Sequence, residues 1–596
     1  MKYRPEIDGL RALAVIPVIL VHAGFELFSG GFIGVDIFFV ISGYLITSII
    51  IEDIEKKKFS ITNFYERRAR RILPALFFVM FICIPFSWAW MLPDPLENFG
   101  QSLVASVLFA NNILLFITSG YWDLASEFKP LLHTWSLGVE EQYYIFFPLF
   151  LIFVWKFTKR YLLTLIIVIT VLSLALSEYG WREYPNANFY LIITRAWELL
   201  VGALAALRIR NNGVKANNFL SILGFLAILI SILVFNEKTP FPSIYALVPV
   251  LGVALIILYA DKNTLIARLL GKKLLVGIGL VSYSAYLWHQ PLLSFSKIYF
   301  KTAPTLLINF FLILFTFFLA ILSWHFIEKP FRKKGVVSKT LFLYSMITVA
   351  TIFIIFGYSA HKTHGFPLRV FDNTSKPDEM HISYNMRNFE FKRETFKKSS
   401  NFRILVLGDS KARDLINVIR ETYDMEKIDL VYRNDLSTCT ISDTKTELGK
   451  KLFIESDLVI RIGFNLNKKN CIDELLEKSN EINKQVLFIG PVNFGYNLNW
   501  ITRIKKNNRA LLQNQLSKET IKAEEMIKNI IPKKNYISII DVLADKSKRI
   551  IITDDQGRLI SPDRMHLTRY GAIYLGKNLT IPPLNVITKL SDHSQN

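Results

Sequence analysis

The sequence predicts a polytopic α-helical membrane domain of about eleven spans, followed by an α/β domain. Long apolar segments separated by short basic loops fill the first 360 residues. After residue 400, short apolar strands alternate with helical stretches, which is typical of a parallel sheet. The composition agrees, because 52% hydrophobic residues and a mean hydropathy of +0.32 are too apolar for an ordinary soluble protein.

The first predicted span carries two ionisable residues. Residues 4–22 read RPEIDGLRALAVIPVILVH, and Arg11 and His22 stand eleven positions apart in it. At about 100° and about 1.5 Å per residue, they lie within about 20° of one helix face and about 16 Å apart along the axis. A signal peptide also has a basic start and an apolar core, but here no small-residue cleavage site follows and a second apolar segment comes at once. Ionisable residues inside a bilayer are costly, so both are functional candidates.

The apolar segments that are long enough to cross a bilayer define the topology. They lie at about 10–28, 32–51, 72–92, 140–156, 161–178, 190–207, 218–235, 243–260, 274–293, 304–326 and 340–358. A further segment, about 101–117, is ambiguous. If it does not cross, every strongly basic loop faces the cytoplasm, so we predict that it is interfacial or re-entrant. The N-terminus is then inside, and the chain after about residue 360 is outside.

Four ionisable side chains are predicted to share the outer part of the membrane domain: His22, Asp36, Glu140 and Glu141. A neutral histidine beside a carboxylate can act as a general base near neutral pH. The alternative is that these residues snorkel or pair separately and take part in no chemistry.

The loop NFYERRARRI lies on the opposite, inner side. Its arginines form two pairs at helical i, i+3 spacing, Arg67 with Arg70 and Arg68 with Arg71. Such pairs could bind a polyphosphate bidentately, or they could set the topology and bind anionic membrane lipid. The residues alone favour neither. The net charge of +21 is explained by such loops, so no nucleic-acid partner is expected.

The outer half begins with a polar linker and continues with a catalytic pattern. NFRILVLGDS is a short strand that runs into Gly408-Asp409-Ser410, and a serine at a strand-to-helix turn exposes its hydroxyl. Far downstream, Asp563 and His566 are three residues apart in SPDRMHLTRYG, so the aspartate can orient the histidine toward a serine. Strands are also predicted at 458–465 and 486–492, and helices at 412–425 and 509–529. From about residue 370 onward we expect a unit that folds alone.

The cysteines predict neither a zinc site nor a disulfide-rich scaffold, and no metal is expected. Cys83 lies in the membrane half, whereas Cys439 and Cys471 share the outer domain. An oxidising compartment would permit a disulfide between the outer two, and unpaired thiols are an equal alternative.

The membrane half resembles the acyltransferase-3 family of integral membrane acyltransferases from about Tyr3 to Arg332. The ordered motifs are RPEIDGLRALAV…H, GGFIGVDIFFVISGYLI, YERRARRILPAL, HTWSLGVEEQYY, RAWELLVGA, SYSAYLWHQP and WHFIEKPFR. The resemblance implies transfer of an acetyl group from cytoplasmic acetyl-CoA to a glycan outside. It places the essential arginine and histidine of the first span on Arg11 and His22, and the paired arginines within 67–71.

The outer half resembles the SGNH hydrolase/acyltransferase fold, which implies an α/β SGNH hydrolase-like domain. In that fold Ser410 would be the nucleophile, His566 the base and Asp563 its orienting acid. Gly463 and Asn465 could supply oxyanion donors, although the usual glycine and Gly-x-Asn-Asp blocks are not both evident. The boundaries are then 1–335 for the membrane domain with ten spans, 336–400 for the eleventh span and linker, and 401–596 for the SGNH domain.

The fused arrangement resembles bacterial O-acetyltransferases of lipopolysaccharide O-antigen or other surface glycans. We therefore expect a multi-pass protein of the bacterial inner membrane with its C-terminal domain in the periplasm. Its partners would be acetyl-CoA, a surface or lipid-linked glycan, and membrane lipid. The alternatives are a peptidoglycan or other polysaccharide O-acetyltransferase, and a transporter that carries an outer esterase. A binding module with an inert outer site is a further alternative, against which the complete Ser410, Asp563 and His566 set argues.

Overall fold

A computed structural model describes residues 3–118, 126–333, 335–371, 377–397, 401–436, 447–463, 469–587 and 589. The chain divides into two compact units. The membrane unit comprises Met1–Trp88, Asn98–Lys297 and Pro304–Ser359. The α/β unit comprises Ala89–Glu97, Ile298–Ala303 and Ala360–Asn596.

Up to residue 362 the described regular structure is helical. The helices are α1 (Pro5–His22), α2 (Gly34–Glu55), α3 (Ile61–Trp90), α4 (Pro93–Val107), α5 (Asn111–Thr118), α6 (Thr134–Thr158), α7 (Leu162–Glu183), α8 (Pro185–Tyr190), α9 (Ile192–Asn212), α10 (Asn218–Val234), α11 (Leu247–Tyr259), α12 (Leu265–Leu270), α13 (Lys273–Tyr299), α14 (Leu306–Ser323), α15 (Lys329–Arg332) and α16 (Lys339–Lys362).

Within the described chain, seven helical segments are long and apolar enough to cross a membrane. They are Glu26–Glu55, Ile61–Trp90, Thr134–Thr158, Leu162–Glu183, Pro185–Asn212, Leu306–Arg332 and Lys339–Lys362. The other four predicted spans fall on α1, α10, α11 and α13, so the count of eleven stays a prediction. The ambiguous segment is divided between α4, with 15 residues, and α5, with 8. At about 1.5 Å per residue, neither reaches the roughly 30 Å of a bilayer core.

Glycines let two helices of the membrane unit approach closely. A Cβ atom on Gly43 of α2 would lie 1.8 Å from the Leu199 carbonyl oxygen, and one on Gly202 of α9 would lie 2.0 Å from the Val40 carbonyl oxygen. Small residues at such positions are typical of helix packing in membranes, where dispersion contacts replace the hydrophobic effect.

The α/β unit contains a parallel sheet, which confirms the predicted fold class. Its strands are β1 (Phe402–Leu407), β2 (Ile428–Arg433), β3 (Leu458–Ile462), β4 (Gln485–Ile489) and β6 (Tyr536–Ile537), in the order β2-β1-β3-β4-β6. All four pairings are parallel. A second small sheet pairs β5 (Gln513–Gln515) with β7 (Arg549–Ile551). The helices are α17 (Pro377–Met380), α18 (Ser410–Thr422), α19 (Glu447–Glu455), α20 (Lys469–Glu481), α21 (Lys518–Ile530), α22 (Ile539–Leu543) and α23 (Arg569–Asn578).

The strand order creates a crevice at one edge of the sheet. The chain passes from β1 to β2 on one side and then returns to β3 on the other side of β1. Sheets of this kind bind ligands outside the carboxyl ends of the strands at such a reversal. The residues after β1, which include Ser410, and the residue after β3, which is Gly463, therefore come to the same place.

The helix predicted at 509–529 begins later than expected. Residues Gln513–Gln515 form β5 instead, where the Asn514 side chain donates to the carbonyls of Phe494 and Asn497 at 3.0 and 3.1 Å. Ser517 then caps α21 by accepting from the Thr520 N–H at 3.2 Å. Asparagine and serine compete with the helix for backbone bonds, which explains the shift.

Candidate active site

The α/β unit brings together the three residues of the predicted triad. His566 Nε2 lies 2.7 Å from Ser410 Oγ, and His566 Nδ1 lies 2.6 Å from Asp563 Oδ2. The second Asp563 oxygen accepts from the backbone N–H groups of Met565 and His566 at 2.8 and 2.9 Å. Ser410 and His566 are each 5% exposed. The Asp563 carboxylate therefore accepts Nδ1–H, and Nε2 is left to take the proton of the serine hydroxyl.

The charges of this triad suit general-base catalysis. Burial raises the pKa of Asp563, but His566 and the backbone donors outweigh it and hold that pKa below its usual value. Burial lowers the pKa of His566, whereas Asp563 and, to a smaller extent, Asp414 more than compensate and place that pKa above 6.5. A carboxylate in this position can stabilise an imidazolium, which is the form that a general base takes after it accepts a proton.

The local backbone presents Ser410 at the start of α18. Asp409 caps that helix by accepting from the Lys411 N–H at 3.1 Å. Gly408 has a φ of +148°, and a Cβ there would lie 2.3 Å from the Ile462 carbonyl oxygen. Gly463, with a φ of +67°, faces the Asp409 carboxylate. Of the two oxyanion candidates, Gly463 thus lies beside the nucleophile loop, and Asn465 lies outside the described residues.

A segment before the sheet supports the nucleophile helix. We call the 3₁₀ stretch Ile382–Phe391 the bracing segment. Its Asn385 donates to the Ser410 carbonyl at 2.8 Å and to Asp414 Oδ1 at 2.5 Å, and accepts from Arg413 Nε at 2.6 Å. Asn388 donates to the Arg413 carbonyl at 2.8 Å. The first turn of α18 is therefore fixed from outside the helix.

Asp414 is a further ionisable group at this site. It lies four residues after Ser410, so one helical turn brings it to the same face of α18. Burial raises the pKa of its carboxyl to about 7, against the opposing effects of His566 and Asn385. Because its charge also contributes to the pKa of His566, its protonation state is linked to that of the base.

The membrane unit contains a separate cavity, which we call the arginine cavity. Its ionisable lining residues are Arg11, Arg68, Arg71, His133 and Glu140. Apolar side chains, most of them from α2, and the tyrosines Tyr144, Tyr283 and Tyr286 also line it. Three guanidinium groups that line one cavity can bind an anionic ligand.

The structure separates the two overlapping arginine pairs. Arg68 and Arg71 line the arginine cavity. Arg67 forms a 2.9 Å ion pair with Asp53 and its side chain is 47% exposed. Arg70 pairs with Glu66 at 3.0 Å. Only the second predicted pair is therefore placed to meet a ligand in the cavity.

His22 lies beside another histidine rather than beside a carboxylate. His22 Nδ1 is 3.0 Å from His289 Nε2, and the two rings stack with their centroids 5.2 Å apart. His289 Nδ1 is 2.6 Å from the Tyr286 carbonyl oxygen, which can only accept. His289 Nδ1 therefore carries a proton, its neutral Nε2 accepts from His22 Nδ1–H, and His22 Nε2 keeps its lone pair. His133 packs edge-on against His289, at 5.4 Å between centroids, and joins this pair to the arginine cavity.

The carboxylates that were predicted to share a layer with His22 have other partners. Asp36 accepts from Arg195 at 3.0 Å, and Arg195 also donates to Glu198 at 3.1 Å, with all three side chains almost fully buried. Glu140 accepts from Ser42 and Tyr144. Glu141 Oε1 is buried without a hydrogen-bond partner among the residues that the structure describes. The pairing of His22 with a carboxylate is thus replaced by a histidine pair.

The motifs of the membrane half match a known family. The family model described as an acyltransferase domain, acyltransferase-3, matches residues 4–325, which is more than half of the chain. The chain belongs to the acyltransferase-3 family. Because it combines this domain with seven apolar helices in the described chain, it is a multi-pass membrane protein.

Similar proteins of this family carry the name O-acetyltransferase. The chain is 36% identical over 358 residues to the peptidoglycan O-acetyltransferase OatA of Listeria monocytogenes, which covers 56% of this chain and 57% of the relative. It is 31% identical over 352 residues to the O-acetyltransferase OatA of Staphylococcus aureus strain NCTC 8325, covering 56% and 58%. A third relative named as an O-acetyltransferase, from Staphylococcus aureus strain MRSA252, is 29% identical over 477 residues, covering 72% and 77%. No solved structure matches the chain. This acyltransferase-3 protein is therefore a membrane O-acetyltransferase.

Sequence reasoning missed four residues of these sites: His133, His289, Asn385 and Asp414. The signal for the two histidines was present, because both stand in the ordered motifs HTWSLGVEEQYY and SYSAYLWHQP, in or beside membrane helices. Asp414 could have been found from its helical spacing to Ser410. Asn385 could not, because nothing local links it to a helix 25 residues away.

Proposed function

We propose that this O-acetyltransferase moves an acetyl group from cytoplasmic acetyl-CoA to a hydroxyl group of a surface glycan, in two stages. The observation that carries the proposal is the hydrogen-bonded set of Ser410, His566 and Asp563, at 2.7 and 2.6 Å, in a chain of the membrane acyltransferase family. A transporter with an outer esterase would need interrupted, paired helical repeats, which the sequence does not suggest.

The first stage uses the membrane unit. Arg11, Arg68 and Arg71 would hold the phosphates of acetyl-CoA in the arginine cavity by charge-assisted hydrogen bonds. The thioester would then extend toward His133 and the histidine pair. The lone pair on His22 Nε2 would serve as base or acyl carrier, with His289 holding the required tautomer.

The second stage uses the triad. Ser410 Oγ attacks the acetyl carbonyl while its proton passes to His566 Nε2, the bond to the preceding carrier breaks, and the imidazolium gives that proton to the leaving carrier. The glycan hydroxyl then attacks acyl-Ser410, His566 takes its proton, and the serine oxygen regains a proton from the imidazolium. Gly463 and Asn465 are the candidate oxyanion donors. The acceptor must displace water from the site to avoid hydrolysis.

The acceptor class is drawn from the relatives. The resemblance of the fused arrangement implied lipopolysaccharide O-antigen and left peptidoglycan as the alternative, whereas the relative with 36% identity is named a peptidoglycan O-acetyltransferase. We therefore place peptidoglycan first among surface glycans and keep O-antigen as the second acceptor. The proposal puts the protein in a bacterial inner membrane with the α/β unit on the periplasmic side.

The test is mass spectrometry of both glycans from cells that carry the wild type, Ser410→Ala or no copy of the gene. Ser547→Ala, an exposed serine of the same unit, is the control. We expect an acetyl ester on one glycan that depends on Ser410 and is unaffected in the control. A glycan acetylation that persists at full level in Ser410→Ala contradicts the second stage. Acetylation of Ser410 itself in a His22→Ala background contradicts the serial order of the two stages.

A further inference from the structure

The α/β unit holds a cluster of imidazoles and carboxylates that the acetyl-transfer stages do not use. Glu97 Oε2 lies 2.9 Å from His381 Nε2 and 3.4 Å from His364 Nδ1. Ligand atoms of these three residues all lie within 4.8 Å of one another. The rings of the two histidines lie 4.2 Å apart between centroids. We propose that Glu97, His364 and His381 form a binding site for a divalent transition-metal ion, with Zn²⁺ as the best match.

The spacing of the ligand atoms suits a tetrahedral ion. Nitrogen and oxygen ligands lie about 2.0–2.2 Å from Zn²⁺, so two ligands of a tetrahedral site lie about 3.4 Å apart. The His364–Glu97 separation of 3.4 Å has this value, and the His381–Glu97 separation of 2.9 Å needs a shift of about half an ångström. One carboxylate with two imidazoles is also the donor set of many catalytic zinc sites, whereas Mg²⁺ and Ca²⁺ prefer oxygen ligands alone.

Each proposed ligand has a partner that orients it. His361 Nδ1 lies 2.6 Å from Glu97 Oε1, whereas the other two histidines contact Glu97 Oε2. Asp378 Oδ1 lies 3.6 Å from His364 Nε2. The Ser383 backbone N–H donates to His381 Nδ1 at 3.1 Å, and the Ser383 hydroxyl lies 2.7 Å from the same nitrogen. A ligand histidine in proteins almost always donates from its second ring nitrogen to a carboxylate, a carbonyl or water. Asp378 lies on that side of His364, whereas an ion on His381 Nε2 requires Nδ1 to give up the Ser383 N–H and to donate to the Ser383 hydroxyl instead.

A fourth position is open beside the cluster. Asp94 Oδ1 is 3.8 Å from His381 Nε2, close enough to bind the ion directly or through a water molecule. A small cavity borders Asp94, His364 and His381. Glu97 is 6% exposed and the His381 side chain 12%, so the ion would be shielded on most sides.

The consequence of metal binding is local to the nucleophile helix. The three ligands come from separate stretches of the chain, so an ion would join the first turns of α4, the turn that follows α16 and the residue before the bracing segment. That segment holds the Ser410 carbonyl and Asp414 through Asn385. The proposed ion therefore positions the bracing segment and, through it, the first turn of α18. No spacing of cysteines or histidines could reveal such a site, because its ligands are spread over almost 300 residues.

The experiment measures metal in the full-length protein, purified in detergent without a histidine tag. After exchange against excess Zn²⁺ and desalting, elemental analysis should give about one zinc per chain, and Co²⁺ should give the visible absorption of a tetrahedral N/O site. Glu97→Gln and His364→Ala should each weaken Zn²⁺ binding at least about 100-fold. Glu394→Gln, an exposed carboxylate in the same extension, should bind zinc as the wild type does.

Two results overturn the proposal. One is a wild-type chain with no tetrahedral Co²⁺ spectrum and a Zn²⁺ dissociation constant weaker than about 100 μM. The other is wild-type binding retained by both ligand variants. The wild-type spectrum does not depend on whether a variant folds. Because metal content is read without any acetyl donor or acceptor, failure here is distinct from failure of the proposed function.

Discussion

A comparison of Arg71→Ala with Arg67→Ala tests which of the two arginine pairs binds the acetyl donor. Arg71 lines the arginine cavity, whereas Arg67 pairs with Asp53 on an exposed face of the same helix. One charge-assisted contact to a phosphate contributes about 1.5–3 kcal/mol, which corresponds to a loss of about 10- to 150-fold in affinity. An exposed ion pair contributes about 0–1 kcal/mol, and only to stability. We therefore expect Arg71→Ala and Arg68→Ala to weaken acetyl-CoA binding by at least about tenfold, and Arg67→Ala by less than about twofold.

The assay is equilibrium binding of radiolabelled acetyl-CoA to the detergent-purified full chain, at constant ionic strength because screening alters such contacts. Arg67→Ala is the matched control, because it removes the same charge from the same helix four residues before Arg71. Equal losses in Arg67→Ala and Arg71→Ala would mean that bulk positive charge, and not the cavity, attracts the ligand. Wild-type affinity in both Arg68→Ala and Arg71→Ala would refute the assignment of the cavity to the donor.

Three further results are expected. Deacetylation of an activated acetyl ester should rise with pH and reach half its maximum above pH 6.5, because the pKa of His566 is raised and only its neutral form accepts a proton; a midpoint below 6.5 would contradict this. Gly408→Ala should lower the stability of the α/β unit by about 1–3 kcal/mol in thermal unfolding, because its Cβ would meet the Ile462 carbonyl at 2.3 Å; an unchanged melting temperature would disagree. His289→Ala should abolish acetylation of Ser410 in cells yet keep acetyl-CoA binding, because His289 orients His22 and does not line the arginine cavity; undiminished acetyl-Ser410 would exclude that role.

The parts of the fold that sequence predicted are those set by local pattern. β1, β3 and β4 are short apolar runs that end at turn residues, and all three lie where expected. β2 was not singled out, because IDLVYR carries two charges in a strand that is buried throughout. Its Asp429 is tolerated there because Arg393 donates to it at 2.7 Å. Such compensation comes from a distant segment and leaves no periodic signal.

In the candidate sites, too, contacts between residues close in sequence can be predicted, whereas contacts between distant residues cannot. Asp563 and His566 are three residues apart, so their contact follows from the sequence, and the Glu66–Arg70 pair at i, i+4 could have been read as well. The contact between His22 of α1 and His289 of α13 could not be predicted, because the two residues are 267 positions apart in the sequence. The sequence placed His22 in the right part of the membrane domain, but depth alone does not decide which of several polar groups it contacts.

The two units are interleaved along the chain, which restricts the fragments that can fold alone and the domain exchanges that can succeed. The chain passes from one unit to the other five times, after Trp88, Glu97, Lys297, Ala303 and Ser359. The Leu92 N–H donates to Asn499 Oδ1 at 2.8 Å, and Asn497 donates to the Ile298 carbonyl at 2.6 Å, all within the α/β unit. A fragment that begins at residue 370 would lack the segments Ala89–Glu97 and Ile298–Ala303 of the α/β unit. It would therefore expose the side chains of Asn497 and Asn499. Recombination between related genes at the end of α16 would meet the same difficulty, so the two halves are expected to be inherited, and to diverge, as one piece.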